Sequence, residues 1–186
     1  MQCPCWTTFF SVGGAILDLG CGNGRDSKFF IEKGLRVTGI DASISAINKL
    51  KEETVGTGAI FVCDDFVKCE ALYQVMYESI YSRFTLHAIN DKQEDELLRN
   101  IRSSLKSGGR LYIEARTLND DLYGKGEKVA PNSYIYNGHF RRFIDVEVLK
   151  EKLIQLEFKI ISVVEGRGFS KTFESDPVLV RLIAEI

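Results

Sequence analysis

Apolar positions along the chain switch between the period of a strand and that of a helix. Ala15–Leu19 (AILDL) is a short apolar run ending in glycines, the pattern of a buried strand. Helix-compatible residues from Arg25 to Lys33 follow and stop at Gly34, a C-terminal glycine. Leu35–Ile40 reads as a second strand, and Ser43 caps a helix whose inner face is Ile44, Ile47 and Leu50. Ala59–Cys63 and Val75–Tyr81 give strands three and four. Asp91 with Glu94 has the spacing of a capping box, for a helix with Leu97, Leu98, Ile101 and Leu105 inward, ending at Gly108-Gly109. Strand five is Arg110–Ala115.

The last third changes character. Leu118–Asn137 is polar and tyrosine-rich and reads mostly as loop. Asp145 caps a helix with Val146, Leu149, Leu153 and Leu156 inward, and Phe158–Glu165 and Val178–Ile186 are two closing strands. Strand–helix alternation predicts an α/β fold: a doubly wound, mainly parallel seven-stranded sheet with helices on both faces. Two final strands with no helix between them make the last one antiparallel. In such sheets ligands sit at the carboxyl ends of the strands, near the switch point.

The residues there are informative. In Leu17-Asp18-Leu19-Gly20-Cys21-Gly22-Asn23-Gly24 a strand enters a tight glycine turn. The spacing is GxGxG, and the last glycine of the dinucleotide fingerprint GxGxxG would fall at Arg25. Asp18, two residues before Gly20, would repel a pyrophosphate and welcome an ammonium group. Asp41 ends the second strand, where a carboxylate can accept both hydroxyls of a ribose. The ligand so described has a cationic amino-acid end and a ribose, with no phosphate. The bland alternative is that both aspartates only cap turns.

ILDLGCGNG followed by GIDAS resembles the first two motifs of the class I S-adenosylmethionine-dependent methyltransferases, and FVCDDF, FTLHAI and LKSGGRLYIEA continue the resemblance over residues 14–186. It implies the Rossmann-like methyltransferase fold and S-adenosylmethionine as cofactor, with S-adenosylhomocysteine as product. Carried over, Gly20, Cys21 and Gly22 line the methionine part, with Asp18 near its amino group. Asp41 binds the ribose, with Ala42 and Ser43 beside it. Asp65 accepts from the adenine amino group with Phe66 at the ring, Asp64 being its rival, and Ser82 adds to the methionine side. The Ser82–His87 run and the Glu165–Gly168 and Glu174–Val178 segments are similar to small bacterial methyltransferases of surface-polysaccharide and small-metabolite pathways.

Methyl transfer from a sulfonium needs a general base only for a poorly acidic hydroxyl or a protonated amine. His87 is the candidate base, with a structural role as its alternative. Arg83 is a candidate for holding an anionic acceptor. The aromatic and basic stretch Tyr134–Phe143, with His139, Arg141 and Arg142, and the segment with Arg167 and Lys171 are candidates for the substrate side; a solvated basic surface is the alternative. No Asn/Asp-Pro-Pro-aromatic segment of an exocyclic-amine methylase follows strand four.

Composition narrows the partners. The chain has 186 residues, 24 Lys and Arg against 26 Asp and Glu, and a net charge of −2, which gives no general hold on nucleic acid. No apolar run approaches a membrane span of ~18 residues, and no signal-peptide pattern opens the chain, so a cytoplasmic enzyme is expected. Five cysteines and two histidines have no metal-ligand spacing, so no metal is expected. The expectation is one domain over residues 14–186 transferring a methyl group to a small, polar, anionic molecule. A cofactor binder without turnover and a nicotinamide-dependent oxidoreductase are the alternatives. A short lead over residues 1–13 is expected, with Trp6, Phe9 and Phe10 supplying only a partial lid; a truncated lid is the alternative.

Overall fold

The computed structural model describes residues 10–186. In chain order the first elements are β1 (Ala15–Leu19), α1 (Arg25–Glu32), β2 (Arg36–Asp41), α2 (Ile44–Glu53), β3 (Ile60–Cys63), α3 (Ala71–Gln74) and β4 (Tyr77–Arg83). A single 3-10 turn at Leu86–Ala88 leads to α4 (Asp91–Ser104) and β5 (Leu105–Arg116). Then come β6 (Glu127–Ala130), β7 (Ser133–Tyr136), β8 (His139–Arg142), α5 (Val146–Gln155), β9 (Lys159–Gly166) and β10 (Leu179–Glu185).

Seven strands form one sheet in the order β3-β2-β1-β4-β5-β10-β9. β10 is antiparallel to both neighbours, and the remaining pairs are parallel. Alternation along β1 sends Ile16 and Asp18 to one face, Leu17 and Leu19 to the other. On the first face Ile16 packs with Phe30 of α1, Val37, Tyr81 and Tyr112, while Ile47 and Leu50 of α2 cover Phe61. On the second, Leu17 and Leu19 lie under Leu72, Leu97, Leu98, Ile101, Leu149 and Leu153 from α3, α4 and α5. Each such side chain contributes about 1.5–3 kcal/mol on burial. The chain reverses direction of winding between β1 and β4, so a crevice opens at their carboxyl ends. Phe10 packs 5.3 Å from the Phe30 ring and 4.8 Å from that of Tyr112, on the α1 face. Trp6 and Phe9 lie outside the described residues.

Three local expectations are corrected. The capping box of α4 is Asn90 with Gln93, one residue before Asp91 and Glu94. Glu94 cannot reach back to the helix start, because it is buried in ion pairs with Arg142 and Lys152. α4 ends at Ser104 rather than at the glycines, since Leu105 is already extended. Gly109 serves a close approach of backbone instead: a Cβ there would lie 2.6 Å from the Lys106 carbonyl oxygen. The segment read as loop holds β6 and β7, which with β8 form a three-stranded antiparallel sheet. Its turns carry Asn132 and Asn137 at φ 52°. With β6 wholly exposed, no apolar alternation reveals the strands.

Candidate functional site

The turn after β1 positions the first wall of the crevice. Gly20 has φ 64°, and a Cβ there would come 2.5 Å from Thr85 Cγ2, so a side chain would be both strained and obstructed. Beneath it the Ser82 and Thr85 hydroxyls are hydrogen-bonded, both fully buried. Asp18 is 2% exposed and accepts a hydrogen bond from Ser27 Oγ at 2.5 Å. Burial is the main cause that pushes its carboxyl up to about 7, with the Asp26 and Asp41 charges adding to it and Ser27 opposing. Asp41 is held from both sides: Oδ2 accepts from Gly22 N at 2.9 Å and Oδ1 from Ser43 N at 2.8 Å. Each oxygen keeps a lone pair for a further donor. Ala42 is exposed beside it, and its carbonyl accepts from Cys63 Sγ.

After β3, Asp64 and Asp65 are exposed and Phe66 is half-buried. Asp64 Oδ1 accepts from Asp65 N at 2.7 Å, and Asp65 Oδ1 from Val67 N at 2.9 Å. One oxygen of each carboxylate is thereby committed to the turn. A first cleft of about 250 Å³ is lined by Asp18, Gly20, Cys21, Asn23, Arg25, Asp26, Arg83 and Phe84.

A second cleft, about 230 Å³, adjoins it and shares Arg25, Arg83 and Phe84; Arg116 and the loop before β10 complete it. Phe84 has φ 58°, a strained position for a non-glycine residue, at the boundary of the two clefts. Arg83 is a strut there. Its Nε donates to Glu114 Oε1 at 2.7 Å, and its two terminal nitrogens to Asp26 Oδ2 at 3.1 Å and Ser170 Oγ at 2.6 Å. Glu114, 2% exposed, also accepts from Ser170 Oγ at 2.8 Å and from Arg181 Nε at 2.6 Å. Arg181 in turn donates to the Phe169 carbonyl and stacks 4.2 Å from that ring's centre. One buried carboxylate thus ties the β9–β10 loop to the sheet.

The other expected substrate residues scatter. Arg141 donates to the Tyr136 carbonyl, His139 is exposed, and Arg167 pairs with Asp121 at the surface. None of the three lines either cleft. Arg142 is buried as a rivet, donating to the Leu86 and Ile89 carbonyls and pairing with Asp91 and Glu94. It grips the turn that carries His87. The His87 ring meets Phe84 edge-on at 5.6 Å, and its buried Nδ1 has no hydrogen-bond partner among the described residues. Burial first, then the Arg116, Arg141 and Arg142 charges, lower its pKa to about 4. Arg25, Arg116 and Glu114 escaped the reading of the sequence. Arg25 drew notice only as the residue that breaks GxGxxG, and Glu114 sits unmarked in a buried strand. Among the described residues no cluster could hold a metal ion, and no helix is long and apolar enough to cross a membrane.

Comparison with known proteins agrees with this geometry. Residues 16–109 match a family described as a methyltransferase domain. An uncharacterised methyltransferase of Geobacillus thermodenitrificans is 25% identical over 171 residues, covering 91% of this chain and 75% of the relative. A SAM-dependent methyltransferase structure from Methanosarcina mazei superposes with a TM-score of 0.83 at 18% identity, covering 99% of this chain and 97% of that one. The Burkholderia thailandensis 1,6-didemethyltoxoflavin-N1-methyltransferase, solved with its substrate and S-adenosylhomocysteine bound, superposes at 0.70 with 20% identity over 94% of this chain and 71% of that one. A glycine turn between buried Asp18 and clamped Asp41, on a β3-β2-β1-β4-β5-β10-β9 sheet, accordingly belongs to a member of the class I S-adenosylmethionine-dependent methyltransferase family.

Proposed function

We propose that this methyltransferase acts on a small, polar, anionic acceptor, with the donor in the first cleft and the acceptor in the second. The observation that carries the reading is the shared wall of Arg25, Arg83 and Phe84, with Asp18 and Asp26 on one side and a lining without carboxylates on the other. The residues suit the donor. Asp18, buried with its carboxyl poised near neutral, gains by facing an ammonium group. Asp41 offers its two spare lone pairs to the ribose hydroxyls, with Ala42 and Ser43 beside them. Gly20, Cys21 and Gly22 let the ligand approach the main chain, and Ser82 supports that turn through Thr85. The free oxygen of Asp65, or of Asp64, takes the adenine amino group, with Phe66 at the ring.

Bound S-adenosylmethionine supplies a methyl carbon on a sulfonium, open to in-line displacement. The protein's part is alignment, with Phe84 at the boundary of the two clefts. His87, kept neutral with a pKa near 4, is a weak proton acceptor at pH 7 and acts by packing against Phe84. An acceptor whose methylated atom is itself the anionic one loses no proton in the reaction, which removes the need for a base. His139, Arg141 and Arg167 line neither cleft and take no part in this reading.

The test is calorimetric titration with S-adenosylhomocysteine, followed by a screen for its release from S-adenosylmethionine with phosphorylated and carboxylated metabolites. Binding followed by turnover on an anionic compound is expected. No binding at millimolar ligand would sink the proposal, and turnover confined to neutral or cationic acceptors would remove its anionic half.

A further inference from the structure

Resting on that reading, we propose that the second cleft is a phosphoryl-binding site in which Lys171 and Arg25 are the anion-holding residues. Four cations line it (Arg25, Arg83, Arg116 and Lys171), and no carboxylate does. Their own partners separate them into two kinds. Arg116 is neutralised by Asp120, its Nη1 donating at 2.9 Å to both carboxylate oxygens. Arg83 has Glu114 at 2.7 Å and Asp26 at 3.1 Å. These two build the wall.

The other two are in surplus. Arg25 has only a 3.3 Å contact from its Nε to Asp26, a carboxylate it shares with Arg83, and its side chain is 58% exposed. Its terminal nitrogens have no acceptor among the described residues. Lys171 has no carboxylate partner among them at all. Its own loop cannot neutralise it inside the cleft: Glu174 and Asp176 do not line it, and Asp176 is turned toward Gly168 N. Arg25 of α1 and Lys171 of the β9–β10 loop therefore line one space from two elements. They offer N–H donors from separate directions and more than one unit of uncompensated positive charge.

That arrangement suits a tetrahedral dianion better than a planar carboxylate. A phosphate monoester or phosphonate presents three oxygens to donors on different sides, whereas a carboxylate presents two in one plane. Phe84 and Phe169 line the same space and give the body of such an acceptor two ring faces. The loop that carries Lys171 is fixed through Ser170 and Phe169 to Glu114 and Arg181. Its ammonium is thus presented from an anchored stem.

The experiment titrates inorganic phosphate, and separately acetate, into the full chain saturated with S-adenosylhomocysteine, with the ligand-free chain in parallel. Wild-type protein should bind one phosphate, at least tenfold more tightly than acetate. Lys171→Gln and Arg25→Gln should each weaken phosphate about tenfold, and Lys171→Gln should leave the S-adenosylhomocysteine affinity as it was. Lys150→Gln, a change on α5 outside both clefts, should alter neither. No phosphate binding, equal affinity for acetate, or phosphate affinity untouched in both cleft variants would overturn the site. Phosphate binding without any S-adenosylhomocysteine binding would instead sink the methyl-transfer reading and leave the anion site standing.

Discussion

The two clefts are built by different means, although they share a wall. The first cleft, proposed for the donor, rests on a main-chain construction. A glycine turn bends round a β-strand end, and Asp41, which lies beside that turn without lining the cleft, is clamped by the amides of Gly22 and Ser43 within nineteen residues. The second cleft, proposed for the acceptor, is a side-chain construction over long separations. Arg83 reaches Glu114 across 31 residues, Asp26 across 57 and Ser170 across 87. A site made of turn chemistry rests on residues close in the chain; one made of ion pairs over long separations can be rebuilt without disturbing the first. The family match over residues 16–109 covers the glycine turn and Asp41 together with Asp26 and Arg83, and stops before Glu114, Lys171 and Arg181.

Glu114→Ala is the strongest way to break this contrast. Removing the carboxylate takes the shared partner from half-buried Arg83 and buried Arg181 and should cost about 3 kcal/mol in a urea titration. A loss under 1 kcal/mol would mean that the acceptor wall does not depend on its ion pairs. Next comes Asp41→Ala, which removes the proposed ribose contact and the clamp on Gly22. Calorimetry should show S-adenosylhomocysteine binding at least tenfold weaker, about 1.4 kcal/mol. Unchanged affinity would take Asp41 out of the site.

Asp18 sharpens the comparison through pH. Its folded-state pKa, about 7, lies above the ordinary 3.8, so the folded chain holds a proton that the unfolded chain has released. Between those values the ligand-free protein should lose stability as pH rises, because ionisation is easier unfolded. A cationic ligand group favours the ionised carboxylate, so S-adenosylhomocysteine should bind more tightly at pH 8 than at pH 6. Asp18→Asn should flatten both profiles, and a wild-type affinity independent of pH would refute the pairing. The smallest effect belongs to Arg167→Ala: with its partner Asp121 at the surface, the melting temperature should not move measurably.

The same contrast explains what could be read from the sequence. Seven strands, their mainly parallel order and the Asp18–Gly20–Asp41 constellation were legible, because each depends on local periodicity or on residues close in the chain. The three-stranded sheet of β6, β7 and β8 was not, though Asn137-Gly138 is a strong hairpin signal that could have found it. Arg141 and Arg142 show the limit most clearly. They are neighbours of equal charge, yet alternation along β8 sends Arg142 into a buried hub and leaves Arg141 on the Tyr136 carbonyl. Their fates are decided by Glu94, 48 residues away from Arg142 and marked in the sequence only by the spacing of a capping box. For His87, left in the sequence between a base and a structural residue, the burial and the neighbouring arginines that lower its pKa are visible only in the fold.

The central claim is that donor and acceptor meet at Phe84 and Arg83. A crystal structure of the protein with S-adenosylhomocysteine tests it most directly. The ribose hydroxyls should lie on Asp41, the amino group toward Asp18, and the sulfur at the boundary facing Phe84 and the second cleft. A ligand bound elsewhere, or one whose sulfur is walled off from the second cleft, would contradict the account.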